Sequence, residues 1–290
     1  MSKYKFCIMQ PYHIVKGNEW QGIVQQQEKD LSLPKEKRLM NYEEIKHLLA
    51  DIDWDLHPGP AVGAEQWGVE NHEEFAYVTA QRLPLIREVI ESGKYNALIA
   101  VGGGQPGFLE GVEIGRKHGV VVTGNAHSQM HIATMLGHKF SIIDLSEAHN
   151  MHMYRLVLQH HMEGRCASIR NINFPLPRKG MDPNVPQLGP EQKKAMAGEP
   201  SLCVDRAIEQ SVKAIQEDGA DVIMFGCSRL FWLRPFVEKG LNDLGYELPV
   251  LEGYSSGIVM AKMLVDLGVT ASGTWLPPEF PKFYREKKVF

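Results

Sequence analysis

The pattern of apolar and polar positions divides the chain into short, wholly apolar runs and longer amphipathic ones. Tyr4 to Gln10, Asn96 to Val101, Val120 to Thr123, Phe140 to Leu145, Cys166 to Asn171 and Val222 to Phe225 predict strands. The most apolar of them suit a parallel sheet covered on both faces. Between them, Asn41 to Leu49, Glu73 to Ser92, Gly107 to His118, Asn125 to Leu136, Ser146 to His161, Ser201 to Glu217 and Tyr254 to Leu264 predict helices. In Glu73 to Ser92 the apolar positions are Phe75, Val78, Leu83, Ile86 and Ile90, and Asn41 with Glu44 has the spacing of a capping box. Strands that alternate with helices in this way predict an α/β protein.

One unit occurs twice. Asn96 to Gly102, followed by Gly103-Gly-Gln-Pro-Gly107, lays over Asp221 to Cys227, followed by Ser228-Arg-Leu230. Downstream, Val120 to Gly124 leads into Asn125 to Leu136, as Leu248 to Gly253 leads into Tyr254 to Leu264. Each copy reads strand, glycine turn, helix, strand, glycine turn, helix. Two such halves related by a pseudo-twofold axis set their strand-end crevices face to face, and a buried parallel strand delivers its last residues to such a crevice. The second copy delivers the thiol of Cys227, with Gly226 allowing a sharp turn before it. In the first copy Gly102 holds that place, so this face offers only backbone amides. A buried structural cysteine is the plain alternative for Cys227.

Composition narrows the classes. At 290 residues and 43% hydrophobic content, the chain holds either two ordinary lobes or one large domain without staples. A net charge of −4 argues against a nucleic-acid or anionic-membrane partner. No signal peptide and no apolar run of spanning length are present, which predicts a cytoplasmic protein. The cysteines Cys7, Cys166, Cys203 and Cys227 show no CxxC spacing, so neither a zinc site nor a disulfide framework is expected. Gly102-Gly-Gly104 lacks both common phosphate fingerprints, which predicts no nucleotide cofactor. His127 and His131 are four apart but lack the carboxylate of HExxH, so no metal is expected; His149, His152, His160 and His161 cluster further on.

Candidate site residues follow from position. His127, in the first turn of a helix opening on the crevice, is the candidate partner for Cys227. Gly102, Gly103, Gly104, Gln105 and Ser228 are candidates for binding substrate oxygens, Arg229 for a carboxylate, and Pro11, His13 and Asn125 for further substrate contacts. Pro58-Gly-Pro60 opens a loop carrying Glu65, Trp67, Glu70 and His72. Residues 173–200, rich in proline, predict a mobile loop able to act as a lid. The aromatic, proline-rich stretch from Thr274 suits packing or subunit contact.

Gly59-Pro60-Ala61, Gly104-Gln-Pro-Gly107, Glu163-Gly-Arg-Cys-Ala-Ser-Ile-Arg170, Ala220 to Cys227 and Leu276-Pro-Pro278 occur together and in this order. In these segments the chain resembles the aspartate/glutamate/hydantoin racemase superfamily, and within it the hydantoin and allantoin racemases. The resemblance implies two pseudo-symmetric lobes, each with a central parallel sheet flanked by helices, with the active site in the cleft between them. It places residues 1–124 with 255–290 in one lobe and 125–254 in the other. It also implies a homo-oligomer and no cofactor.

Racemases of this family use one cysteine from each lobe. Cys227 matches the second, but Gly102 stands at the first, where hydantoin racemases read Cys-Phe-Gly-Asp-Pro-Gly and this chain reads Gly-Gly-Gly-Gln-Pro-Gly. Arylmalonate decarboxylases similarly have glycine at the first position. The implied activity is isomerase-like or decarboxylating chemistry on a small carboxylate or hydantoin-like ring, with Cys227 as the single acid/base. Two other readings stay open: Cys227 as a nucleophile activated by His127 to hydrolyse a cyclic amide or imide, or a non-catalytic small-acid binding protein.

Overall fold

The computed structural model describes residues 2–14, 31–62, 69–177, 181–182, 184–280 and 282–283. Glu65 and Trp67 of the expected loop lie outside them. In chain order the elements are β1 (Tyr4–Met9), β2 (His13–Ile14), α1 (Lys35–Arg38), α2 (Tyr42–Leu49), β3 (Ile52–His57), β4 (Ala61–Val62), α3 (His72–Glu91) and β5 (Ala97–Ala100). There follow α4 (Phe108–His118), β6 (Val121–Gly124), α5 (Asn125–Leu136), β7 (Phe140–Asp144), α6 (Glu147–Gln159) and β8 (Cys166–Asn171). Then come α7 (Leu188–Met196), α8 (Leu202–Gln216), β9 (Val222–Phe225), a 3₁₀ turn (Ser228–Leu233), α9 (Arg234–Asp243), β10 (Val250–Leu251) and α10 (Gly253–Leu267).

The strands form two four-stranded sheets, ordered β3-β1-β5-β6 and β10-β9-β7-β8, and every pairing is parallel. Counted from the first strand of each, both sheets run second, first, third, fourth. The internal repeat therefore extends further than its sequence shows: β1 and β3 correspond to β7 and β8. This is the α/β architecture of two similar halves that the repeat predicts.

The strand order reverses between β1 and β5 in one sheet and between β7 and β9 in the other. Ligands of open α/β sheets bind at the carboxyl ends of strands beside such a reversal. The residues brought there are Gln10 and Pro11 after β1, Val101 to Gly104 after β5, Asp144 and Leu145 at the end of β7, and Gly226 to Ser228 after β9.

Three aliphatic and aromatic clusters hold the layers together. One runs through both halves, joining Phe6 and Ile8 of β1 and Ile99 of β5 to Ile143 of β7 and Phe225 of β9. The other faces are covered separately: Cys7, Met9 and Leu98 pack with Ile86 and Phe108, while Ile142 and Met224 pack with Met130 and Met153. The last helix of each repeat crosses to the opposite sheet, α5 resting on β7 and β9 and α10 on β5 and β6. Because β10 pairs only Ile223 and Met224 of β9, the backbone of Phe225 turns to α5: its carbonyl accepts from Gln129 Nε2 at 3.1 Å and its N–H donates to Gln129 Oε1 at 3.3 Å.

The structure departs from the sequence expectation in several places. β3 was not expected, because Ile-Asp-Trp-Asp-Leu-His alternates instead of running apolar; it is an edge strand with Ile52, Trp54 and Leu56 buried and Asp53 exposed. The capping box does not form at Asn41, whose φ of 57° is left-handed and whose side chain caps nothing. It forms instead at Asn71 and Glu74, ahead of α3. The 173–200 stretch is not one open loop. Phe174 and Leu176 are buried, and α7 is anchored by Glu191, which accepts from the Leu202 N–H at 2.5 Å. Among the described residues no helix is long and apolar enough to cross a membrane.

Candidate active site

Cys227 follows β9 directly and opens the 3₁₀ turn, with its backbone extended (φ −88°, ψ 138°) and its side chain 6% exposed. It lines a tight pocket of about 30 Å³ together with Gly102, Gly103, Gly104, Ser228, Arg229, Pro11 and Tyr12. Val69, Phe75, Val78 and Leu176 supply an apolar wall, and His149 completes the polar part.

His149 is the residue that sequence reasoning did not select. It sits in the first turn of α6, is 1% exposed, and its Nδ1 lies 2.7 Å from Asp144 Oδ2. Across the pocket its neighbour is the Cys227 side chain. Burial alone would strip the charge from the imidazole, but the Asp144 carboxylate and then the Cys227 sulfur outweigh it and hold His149 well above the usual histidine range. Asp144 is itself fully buried at the end of β7, with its second oxygen accepting from the Leu145 N–H at 2.9 Å. Gly226 makes room for it: a Cβ there would meet the Asp144 carboxyl carbon at 2.6 Å. Thiol, imidazole and carboxylate thus stand together in one buried group, with the imidazole bonded to the carboxylate. The signal available in the sequence was a lone acid ending an otherwise apolar strand, with a histidine five residues on.

Opposite the thiol stands the β5 turn. A Cβ on Gly103 would lie 1.8 Å from the Gly226 carbonyl oxygen and 2.6 Å from Cys227 Cα, so the two strand-end turns touch backbone to backbone. Only glycine fits at that point. Gly102 has φ +129°, which L side chains rarely adopt, and a Cβ there would press on Pro106 and Pro11 at 3.2 and 3.3 Å. Arg82, fully buried, ties the turn to β1 by donating to the Pro106 carbonyl at 2.7 Å and the Met9 carbonyl at 3.0 Å. Burial lowers its guanidinium to about 9.

The N–H groups of Gly103, Gly104 and Ser228 border this pocket and make no hydrogen bond among the described residues. Three amide donors near a thiol are suited to stabilise a developing oxyanion. Apart from Cys227, the described lining carries no other thiol and no carboxylate.

Four of the residues selected from sequence fall elsewhere. His127 does not line the Cys227 pocket; its ring lies 4.4 Å from that of His131 and 5.0 Å from that of His160, and its N–H donates to Gln105 Oε1 at 2.5 Å. Burial first, then the neighbouring histidines, push His127 down to about 3 and His160 to about 4, so the group is neutral at pH 7. Gln105 Nε2 lies 3.0 Å from His160 Nε2, behind the glycine turn. Asn125 is a strut: its Oδ1 accepts from the Gly102 N–H at 2.7 Å and its Nδ2 donates to the Gly253 carbonyl at 2.6 Å. His13 Nδ1 lies 3.1 Å from the Gly59 carbonyl oxygen in the small β2-β4 ladder. Among the described residues no three His, Cys, Asp or Glu side chains stand together in a way that could hold a metal. Glu70, expected in a loop, is buried and accepts from Ser146 Oγ at 2.8 Å and the Leu176 N–H at 3.1 Å.

No family model and no curated protein matches the sequence. Solved structures do match the fold. An allantoin racemase from Klebsiella pneumoniae superposes with a TM-score of 0.65 at 20% identity, covering 98% of this chain and 97% of its own. An allantoin racemase from Pseudomonas fluorescens gives 0.62 at 19% identity, covering 97% and 100%. A doubly substituted arylmalonate decarboxylase in its liganded form gives 0.54 at 13% identity, covering 93% and 96%. The chain shares, over nearly its whole length, the two-sheet α/β fold of these racemases and this decarboxylase.

Proposed function

We propose that the chain is a cofactor-independent carbon-acid enzyme that protonates its substrate from one face, with Cys227 as acid/base. The carrying observation is the asymmetry of the two facing turns: a thiol backed by His149 and Asp144 on one side, and Gly102 to Gly104 on the other. Loss of a proton or of carbon dioxide from a carbon beside a carbonyl leaves an enolate. The amides of Gly103, Gly104 and Ser228 stabilise its oxygen, and one such donor is worth roughly 10²–10³ in rate. Cys227 then delivers a proton to the carbon and His149 restores the thiol. Asp144 keeps the imidazole oriented and charged. One acid suffices for decarboxylation or isomerisation, whereas racemisation needs a group on each face. The substrate class is a small carboxylate or hydantoin-like ring, which the fold shared with an allantoin racemase and an arylmalonate decarboxylase supports. The apolar wall favours a substrate with an apolar substituent and disfavours a carboxylate set against it.

The test is solvent deuterium incorporation at the α-carbon, followed by proton NMR, over 5-substituted hydantoins, amino acids and arylmalonates. Wild type should exchange a proton or release carbon dioxide and Cys227→Ala should not; equal behaviour of the two proteins would sink the assignment. A second reading is favoured by the buried Cys227, His149 and Asp144 group, which has the nucleophile, base and orienting group of cysteine hydrolases. Under that reading a cyclic imide opens without exchange, and intact-mass analysis during turnover finds the acyl group on Cys227.

A further inference from the structure

The two halves finish their sheets differently. In the first, β6 pairs with the whole of β5, Ala97 to Ala100. In the second, β10 pairs with Ile223 and Met224 only, so Phe225 reaches the end of β9 with no strand on that side to take its N–H and carbonyl. Buried backbone groups left in that state are costly.

Side chains of α5 take the place of the missing strand. Asn125 and Gln129 are four apart, hence on one face of the helix, and both are 0% exposed. Gln129 serves both groups of Phe225, Nε2 donating to the carbonyl at 3.1 Å and Oε1 accepting from the N–H at 3.3 Å. Its Nε2 also donates to the Asn125 carbonyl at 3.3 Å. A neutral carboxamide carries a donor and an acceptor on separate atoms with no charge to bury, which is what a strand-end residue with both groups bare requires. At the other turn, Asn125 Oδ1 accepts from the Gly102 N–H at 2.7 Å. Phe225 immediately precedes Gly226 and Gly102 immediately precedes Gly103, and Gly103 and Gly226 are where the two turns touch. One helix face thus grips each turn a single residue ahead of their contact. The other repeat lacks this pair, since α10 carries Tyr254 and Ile258 at the corresponding positions.

We propose that Asn125 and Gln129 are positioning residues, and that α5 is the bracket that fixes the Cys227 thiol against the amides of Gly103 and Gly104. The inference rests on the reading of these two turns as the active site. Neither side chain lines the Cys227 pocket; Asn125 acts through Gly102 and Gln129 through Phe225.

The experiment is timed iodoacetamide labelling of the full chain, read cysteine by cysteine by peptide mass spectrometry, in wild type, Gln129→Met, Asn125→Leu, the double variant and Ser141→Ala. Met keeps the length of Gln129 and Leu the size of Asn125, and both remove the hydrogen bonds. Ser141→Ala is the control for general loss of stability: it removes a buried hydrogen bond shared with Ser168 Oγ at 2.8 Å, near the amino end of β7 and away from the site. Cys7 and Cys203, 1% and 0% exposed, report global unfolding. Each single variant of the bracket should speed Cys227 labelling about ten-fold relative to Cys7 and Cys203. The double variant should stay within about two-fold of the faster single, because releasing either end of one bracket opens the same gap. Ser141→Ala should keep the wild-type ratio. On a substrate found by the exchange test, kcat of either bracket variant should fall about 10²-fold with KM held within about two-fold. An unchanged labelling ratio in either single variant, effects that multiply in the double, the same rise in Ser141→Ala, or a kcat that falls only with the folded fraction overturns the bracket. Labelling needs no turnover, so failure here is distinguishable from failure of the carbon-acid reading.

Discussion

The two strand-end turns that meet at the pocket begin from the same plan and end in opposite electrostatics. After β5 the chain supplies Gly102, Gly103 and Gly104, and the histidines behind them are neutral: His152 holds the Gly104 carbonyl and His127 and His160 hold Gln105. After β9 the chain supplies Gly226 and Cys227, and the histidine behind them is charged, because Asp144 stands next to it. The repeat keeps the backbone and changes what it presents, bare amides on one turn and a thiol on the other. Strand order alone makes both turns equally good places for a ligand; what stands behind each decides its chemistry.

The largest test of this contrast removes the charge behind the thiol. Asp144→Asn leaves the volume unchanged but no longer holds His149 protonated, and should slow Cys227-dependent turnover by about 10²–10⁴, with a parallel change in the pH profile of Cys227 alkylation. An unchanged profile would show that Asp144 only fills space. Next in size is the contact between the turns. Gly103→Ala forces a Cβ against the Gly226 carbonyl and should cost about 3 kcal/mol in urea unfolding, with activity falling alongside.

The opposite charge states predict opposite pH dependences. For His149 the folded pKa is raised, so its stabilisation is full below pH 6.5 and is lost as the pH rises through the folded value. For His127, His152 and His160 the folded values are depressed to about 3, 3 and 4, so their contribution is full above pH 6.5 and is lost as pH falls toward 4. Each contributes up to about 1.4 kcal/mol per pH unit in that window. Urea titrations from pH 5 to 9 should show the cost of His149→Gln shrinking as pH rises. The cost of His152→Gln should shrink as pH falls.

Smaller still is Gly102→Cys, which restores a thiol to the first turn. With φ at +129° the side chain is strained, at a cost of about 1–3 kcal/mol. If the turn relaxes to admit it, a product that wild type makes as one enantiomer should appear as both on chiral chromatography. The smallest effect belongs to His127→Ala. Since that ring does not reach the Cys227 pocket, kcat/KM should stay within about two-fold, well below the roughly 10²-fold expected of a lost acid/base group.

What the sequence determined by itself is the repeat and most of its strands and helices, because fully buried parallel strands and amphipathic helices leave strong local periodicities. Cys227 and the bare Gly102 to Gly104 turn were legible for the same reason, since a parallel strand carries its last residues to the crevice. β3 escaped because an edge strand is covered on one face and alternates, and the capping box at Asn71 because the one at Asn41 has the same spacing. Only the tertiary structure decided which histidine stands beside the thiol. His127 and His149 each occupy the first turn of a helix following a strand, and nothing local distinguishes them. β7 ends beside β9, so Asp144 and His149 arrive next to Cys227, whereas β6 lies at the far edge of the other sheet and its helix carries His127 behind the turn instead of into the pocket. Strand order, a long-range property, made that choice.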